Sequence, residues 1–134
     1  MSDHHACLAP GLAVTRAAIA CFRSDVSDCV AALWSDMKAD IVLANDADLD
    51  FPQEHLDALC TATTLALSVP IEVDGDLPVQ AVFLGRSGGR IVLRDPVLPT
   101  HAMTCLCAPG ADLVRLRQAM VDFLAQDRQT GADR

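Results

Sequence analysis

Nowhere in the chain do about 18 to 20 apolar residues run together without a charge, so no segment is suited to cross a bilayer as a helix. The first residues, MSDHHACLAPGL, lack a basic stretch and an uninterrupted apolar segment, so no secretory leader is expected. Positive charge is scarce as well. Ten Lys and Arg stand against 18 Asp and Glu, for a formal net charge of -8 at pH 7. Such a field repels phosphate backbones and acidic lipid surfaces, and no basic cluster offsets it, which excludes nucleic acid as an expected partner. The few cations that fall near one another, Arg86, Arg90 and Arg94, then Arg115 and Arg117, read as solvated faces. Also missing are a glycine-rich phosphate loop with Lys-Ser/Thr, an internal repeat, a low-complexity tract and a domain-scale linker.

What is present is apolar bulk. The 134 residues are 51% hydrophobic, enough to bury a core and consistent with one globular domain. A full α/β-hydrolase does not fit in that length. Six cysteines, an even number, would suggest disulfides in a secreted chain. Here Cys21, Cys29, Cys60 and Cys105 lie inside apolar runs, where a free thiol behaves as a small hydrophobe, so a reduced, cytoplasmic protein is expected. Cys105 and Cys107 form C-x-C, which on a strand places both on one face to pack against a helix. His4, His5 and Cys7 carry ligand chemistry without a paired ligand set, and Asp46, Asp48 and Asp50 lack the glycine and glutamate of a calcium loop. The acidic residues read as a solvated loop that caps the next helix. His55 and His101 read as structural or surface residues, and Trp34 as core. No cofactor or metal is expected.

Periodicity gives the order of elements. Leu12, Ile19 and Phe22, with Leu8 and Thr15 in phase, fall at helical spacing up to about Arg23. CVAALW and IVLA then read as a hairpin, although the intervening SDMKAD has no glycine. Pro52 sits in a first helical turn, and Leu56, Leu59, Cys60, Thr63 and Leu67 form the stripe of a second helix. Its other side carries Ala58, Ala62, Leu65 and Ala66. A helix apolar nearly all round is covered on both sides, which in so small a domain implies a second subunit. Three strands follow, VQAVFL, RIVLR and HAMTCLCA, then a helix introduced by Asp112 with core residues Leu113, Leu116, Met120, Phe123 and Leu124. The expected fold is therefore α+β: a five-stranded antiparallel sheet with three helices in the order α-β-β-α-β-β-β-α. One domain is expected over residues 10–126, with flexible ends at 1–9 and 127–134.

Gly85-Arg86-Ser87-Gly88-Gly89 matches G-x-S-x-G, and Asp95 and His101 follow in the order of an α/β-hydrolase triad. A nucleophile elbow needs a helix after its serine, whereas RIVLRDP has strand character and stops at a proline. Gly85, Ser87, Gly88 and Gly89 are thus expected at a hairpin tip, its glycines supplying positive φ, with no catalytic residue in the chain. A hydrolase using Ser87 is the reading this disfavours most.

Several of these residues occur together in a known pattern. The hairpin at Gly88 and Gly89, the strand Ile91, Val92, Leu93 and Arg94, and then Pro109, Ala111, Asp112, Leu113 and Arg117 opening the last helix resemble the roadblock/dynein light chain family. The similarity covers roughly Leu12 to Gln126. The first hairpin departs from it, with Ser35-Asp36-Met37-Lys38 where the family has Asp-x-x-Gly. The resemblance implies a longin- and profilin-like domain that is dimeric and non-enzymatic, and that scaffolds a small GTPase or a motor or signalling component. It implies dimerisation through the second helix and the third strand, here Leu59, Ala62, Leu65 and Ala66 with Val82 and Leu84. The competing expectation is an acidic, dimeric secretion chaperone that holds an effector segment, a class that usually has three strands before its middle helix.

Overall fold

The computed structural model describes residues 14–72 and 75–126. The expected flexible ends at 1–9 and 127–134, and the helix positions Leu8 and Leu12, lie outside the described residues. Eight elements follow in order: α1 (Arg16–Asp25), β1 (Cys29–Asp36), β2 (Ile41–Ala47), α2 (Gln53–Ser68), β3 (Gln80–Gly85), β4 (Gly88–Arg94), β5 (His101–Cys107) and α3 (Leu113–Leu124). The sheet order is β2-β1-β5-β4-β3, antiparallel throughout, so β2 and β3 are its edges.

Thr15 does not join the core stripe of α1. Its hydroxyl accepts from Ala18 N at 3.1 Å, and a capping residue must stand outside the helix to do so. Ala18, Ile19 and Phe22 then form the buried side of α1. Asp112 likewise caps α3, accepting from Arg115 N at 3.1 Å, and Leu116, Met120, Phe123 and Leu124 are buried below it. These two helices share one face of the sheet, where the rings of Phe22 and Phe123 meet edge-on at 5.2 Å.

The opposite face belongs to α2. Leu56, Leu59, Cys60, Thr63 and Leu67 are buried against the sheet, and Thr63 and Thr104 satisfy each other through hydroxyls 3.0 Å apart. Because β1 is covered on both sides, residues 31 to 35 are buried without alternation. Ala32 and Trp34 pack toward α1 and α3, while Ala31 and Leu33 pack under α2. A register shift between Cys29 and Ala31 returns Cys29 to the first side.

The β1–β2 turn forms without glycine. Asp40 adopts φ 58, a conformation that aspartate tolerates, and the Asp36 carboxylate accepts from the backbones of Lys38 and Ala39 at 3.0 Å each. In the β3–β4 hairpin only Gly88, at φ 141, needs positive φ. A Cβ there would stand 2.2 Å from the Cys107 carbonyl oxygen. Gly89 serves close approach instead, since a Cβ would meet Phe83 O at 3.1 Å and Cys107 Sγ at 3.2 Å. Gly85 serves neither purpose, which corrects the expectation that the glycines act alike.

Candidate functional site

The hydrolase motif comes apart in three dimensions. Ser87 is exposed in the two-residue turn between β3 and β4, with a strand on each side and no helix to follow. Asp95 lies beyond the far end of β4, on the order of 20 Å away at about 3.3 Å per strand residue. Its carboxylate is buried and accepts from Val97 N at 3.1 Å, while His101 lies against Trp34 with ring centroids 5.5 Å apart. No nucleophile–base pair is assembled from these three. Ser87→Ala is accordingly expected to leave stability within about 0.5 kcal/mol of the parent, which a thermal melt checks.

His4, His5 and Cys7 lie outside the described residues, and the other chemistry-bearing clusters among the described residues tie elements together or pack in the core. Asp46 and Asp48 do not cap α2; they grip Arg23 of α1, whose Nε and Nη1 donate at 2.9 and 2.8 Å, and Nη1 also donates to Cys29 O at 3.1 Å. Burial works against the Arg23 charge, and the two carboxylates outweigh it, leaving its pKa raised. Cys29, Cys105 and Cys107 share the α1/α3 side of the sheet. The hydrogen bond from Cys105 lowers the Cys29 thiol pKa, and burial raises that of Cys105. Cys21 is disulfide-bonded, which corrects the expectation of a free thiol there. Among the described residues no group of three or more His, Cys, Asp or Glu is placed to hold a metal ion, and no helix is long and apolar enough to cross a membrane.

One surface has the character of a contact. On the side of α2 away from the sheet, Leu65 is 63% exposed, with Ala62 and Ala66 half-buried beside it. Leu59 does not belong there: at 9% exposure it packs with Ala31, Leu33 and Leu56 inside the protomer. Edge strand β3 is exposed along almost its whole length and reads QAVFLG, without a charge. Val82 and Leu84, 45% and 73% exposed, pair with Ile91 and Gly89 and so point to the α1/α3 side. Phe83, 41% exposed, is the large exposed β3 residue on the α2 side. The sequence reading passed over Phe83, though alternation from Ala81, which packs with Leu67, would have found it.

Phe83 is paired in register with Arg90 of β4, whose guanidinium lies 4.3 Å from the ring centroid. Arg90 and Arg94 are not the solvated residues expected. Arg94 is half-buried and donates to the carbonyls of Leu67, Pro78 and Pro99, tying α2 and the chain before β3 to the end of β4. Arg90 is half-buried too, but its Nε has no hydrogen-bond partner and burial lowers its pKa.

The arrangement of this five-stranded sheet and its three helices is shared with solved structures. A roadblock/LC7 domain from Streptomyces avermitilis superposes with a TM-score of 0.67 over 82% of this chain and 91% of that one, at 15% identity. The chain has the roadblock fold. The gliding protein MglB from Thermus thermophilus matches at TM-score 0.65 and 16% identity, over 87% of each chain. MglB in a tetrameric arrangement matches at 0.65 and 16%, over 82% of each. No protein-family model and no curated protein sequence matches. The fold tolerates this low identity because its buried stripes can be filled by many combinations of apolar residues.

Proposed function

We propose that this chain is a non-enzymatic adaptor or regulator that acts as a homodimer and binds a protein partner, with a small GTPase as the partner class. One observation carries the reading: an uncharged, exposed edge strand lies beside an exposed apolar flank of α2. Edge strands in soluble proteins are protected by charges, bulges or covering elements. At the other edge, β2 has Asp46 held by Arg23 and a register shift against β1 at Trp34 and Ser35. β3 has no such device, and pairing with β3 of a second copy would satisfy its free backbone groups and extend the sheet.

The GTPase part of the reading rests on the roadblock resemblance and on the likeness to MglB, a gliding protein. The element order, two strands before α2 and three after, favours it over the secretion chaperone. Any effect on GTP hydrolysis would come from positioning groups of the partner, because the described residues hold no catalytic constellation. The setting we assign is cytoplasmic, where the free thiols of Cys29, Cys60, Cys105 and Cys107 stay reduced. The Cys21 disulfide is the observation that stands against that setting.

The test is a sedimentation titration of the purified chain with small GTPases from the same organism, each loaded with GDP or a GTP analogue. The reading predicts a complex of two chains with GTPase that prefers one nucleotide state. Binding to neither state of any of them would remove the GTPase from the proposal.

A further inference from the structure

We propose that Arg90, held over Phe83, is the polar anchor of the self-association surface and receives a carboxylate from the second copy of this chain. The inference rests on the homodimer reading above and adds to it a residue that would set specificity.

Arg23 is held by Asp46 and Asp48, Arg94 donates to three carbonyls, and Arg117 donates to Gln80. The Arg90 side chain makes no hydrogen bond or ion pair with any described residue, although β4 and Phe83 remove much of its water. A guanidinium carries five donors in a fixed fork, and leaving them partly desolvated without acceptors is costly. Its guanidinium carbon lies 4.3 Å from the Phe83 ring centroid, and no described residue accepts from its terminal nitrogens, a chemistry suited to receiving a carboxylate.

The position selects the occupant. Arg90 lies one strand in from the bare edge, on the α2 side of the sheet, next to the β3 residue that shares that side with Leu65, Ala62 and Ala66. A chain that extends the sheet at β3 and covers Leu65 must therefore also lie over Arg90. Two copies that each carry a net charge of -8 repel one another, and a cation inside the contact relieves that repulsion. The same chain supplies acceptors: Glu54 and Asp57 on α2, and Glu72 and Asp76 after it, are exposed.

The experiment measures the dimer dissociation constant of the full chain by sedimentation equilibrium at several salt concentrations. The variants are Arg90→Met, Arg90→Lys, and Glu54→Gln, Asp57→Asn, Glu72→Gln and Asp76→Asn, each alone and combined with Arg90→Met, with folding checked by circular dichroism. Arg90→Met is expected to weaken the dimer about tenfold or more at low salt and by less as salt rises, because added salt screens both the lost charge pair and the larger repulsion between the more acidic copies. Arg90→Lys should recover part of the affinity, and one carboxylate substitution should weaken the parent dimer yet add nothing once Arg90 is gone. If Arg90→Met forms the parent dimer unchanged, the proposal fails while the homodimer stands. Weakening with an unaltered salt slope would make Arg90 a packing residue only, and loss of GTPase binding alone would assign it to the other partner; each overturns the proposal. A monomeric parent chain would overturn the homodimer and the Arg90 proposal together.

Discussion

Replacing Leu65 by Glu should split the proposed homodimer into folded monomers. In the isolated protomer Leu65 is 63% exposed and lies on the outer side of α2, so a carboxylate there remains hydrated. The stability of the single chain should change by about 0.5 kcal/mol or less. In the dimer the same side chain would be covered by the second copy, and an unpaired charge taken out of water costs about 3 to 5 kcal/mol. That corresponds to a rise in dissociation constant of roughly a hundred- to a thousandfold or more. Sedimentation equilibrium gives the constant, and the thermal melt of the dilute protein shows whether the monomer remains folded. Leu59→Glu is the contrasting change: Leu59 packs with Leu33 and Leu56 inside the protomer, so a charge there should unfold the chain instead of separating copies.

The second large effect is expected at the hairpin tip. Gly88→Ala places a methyl group 2.2 Å from the Cys107 carbonyl oxygen while holding the residue at φ 141, a conformation that L side chains rarely adopt. The contact is with the backbone of β5, a strand paired on both sides, so no flexible side chain can give way. Relief requires moving the start of β4 off β5, at a cost of about 3 kcal/mol or more. For a domain whose whole stability is about 5 to 15 kcal/mol, this should lower the midpoint of thermal unfolding by roughly 10 °C or more. Gly85→Ala is the internal control. Its added methyl would meet only the Gly88 carbonyl oxygen, at 3.7 Å, so the melt should be nearly unchanged. The register of β3 against β4, and with it the position of Phe83 over Arg90, depends on Gly88.

The helices and strands were legible because their apolar spacing matches the period of each element. All five residues of the α2 stripe and four of the five named for α3 are buried; Leu113, in its first turn, is only partly covered. The β1–β2 turn was less so, since Asp36 and Asp40 replace a glycine by side-chain acceptors and a tolerated φ, chemistry that looks like ordinary polar sequence. The start of α1 was misplaced because Thr15 lies in phase with the core residues yet acts as a cap. At the candidate surface, Leu65 stood out as an apolar residue opposite a complete stripe. Leu59 was assigned to both sides of α2, and only packing separates them. Arg90 could not be distinguished from its neighbours Arg86 and Arg94 by charge pattern, because what sets it apart is half-burial against Phe83 with no side-chain acceptor among the described residues.

The central claim is that the bare edge of β3 and the outer flank of α2 are joined to a second copy, and the mass of the parent chain in solution tests it most directly. Light scattering on the size-exclusion peak at micromolar concentration should give twice the 14.2 kDa of the single chain. A mass equal to the single chain, unchanged as concentration rises, would contradict the account.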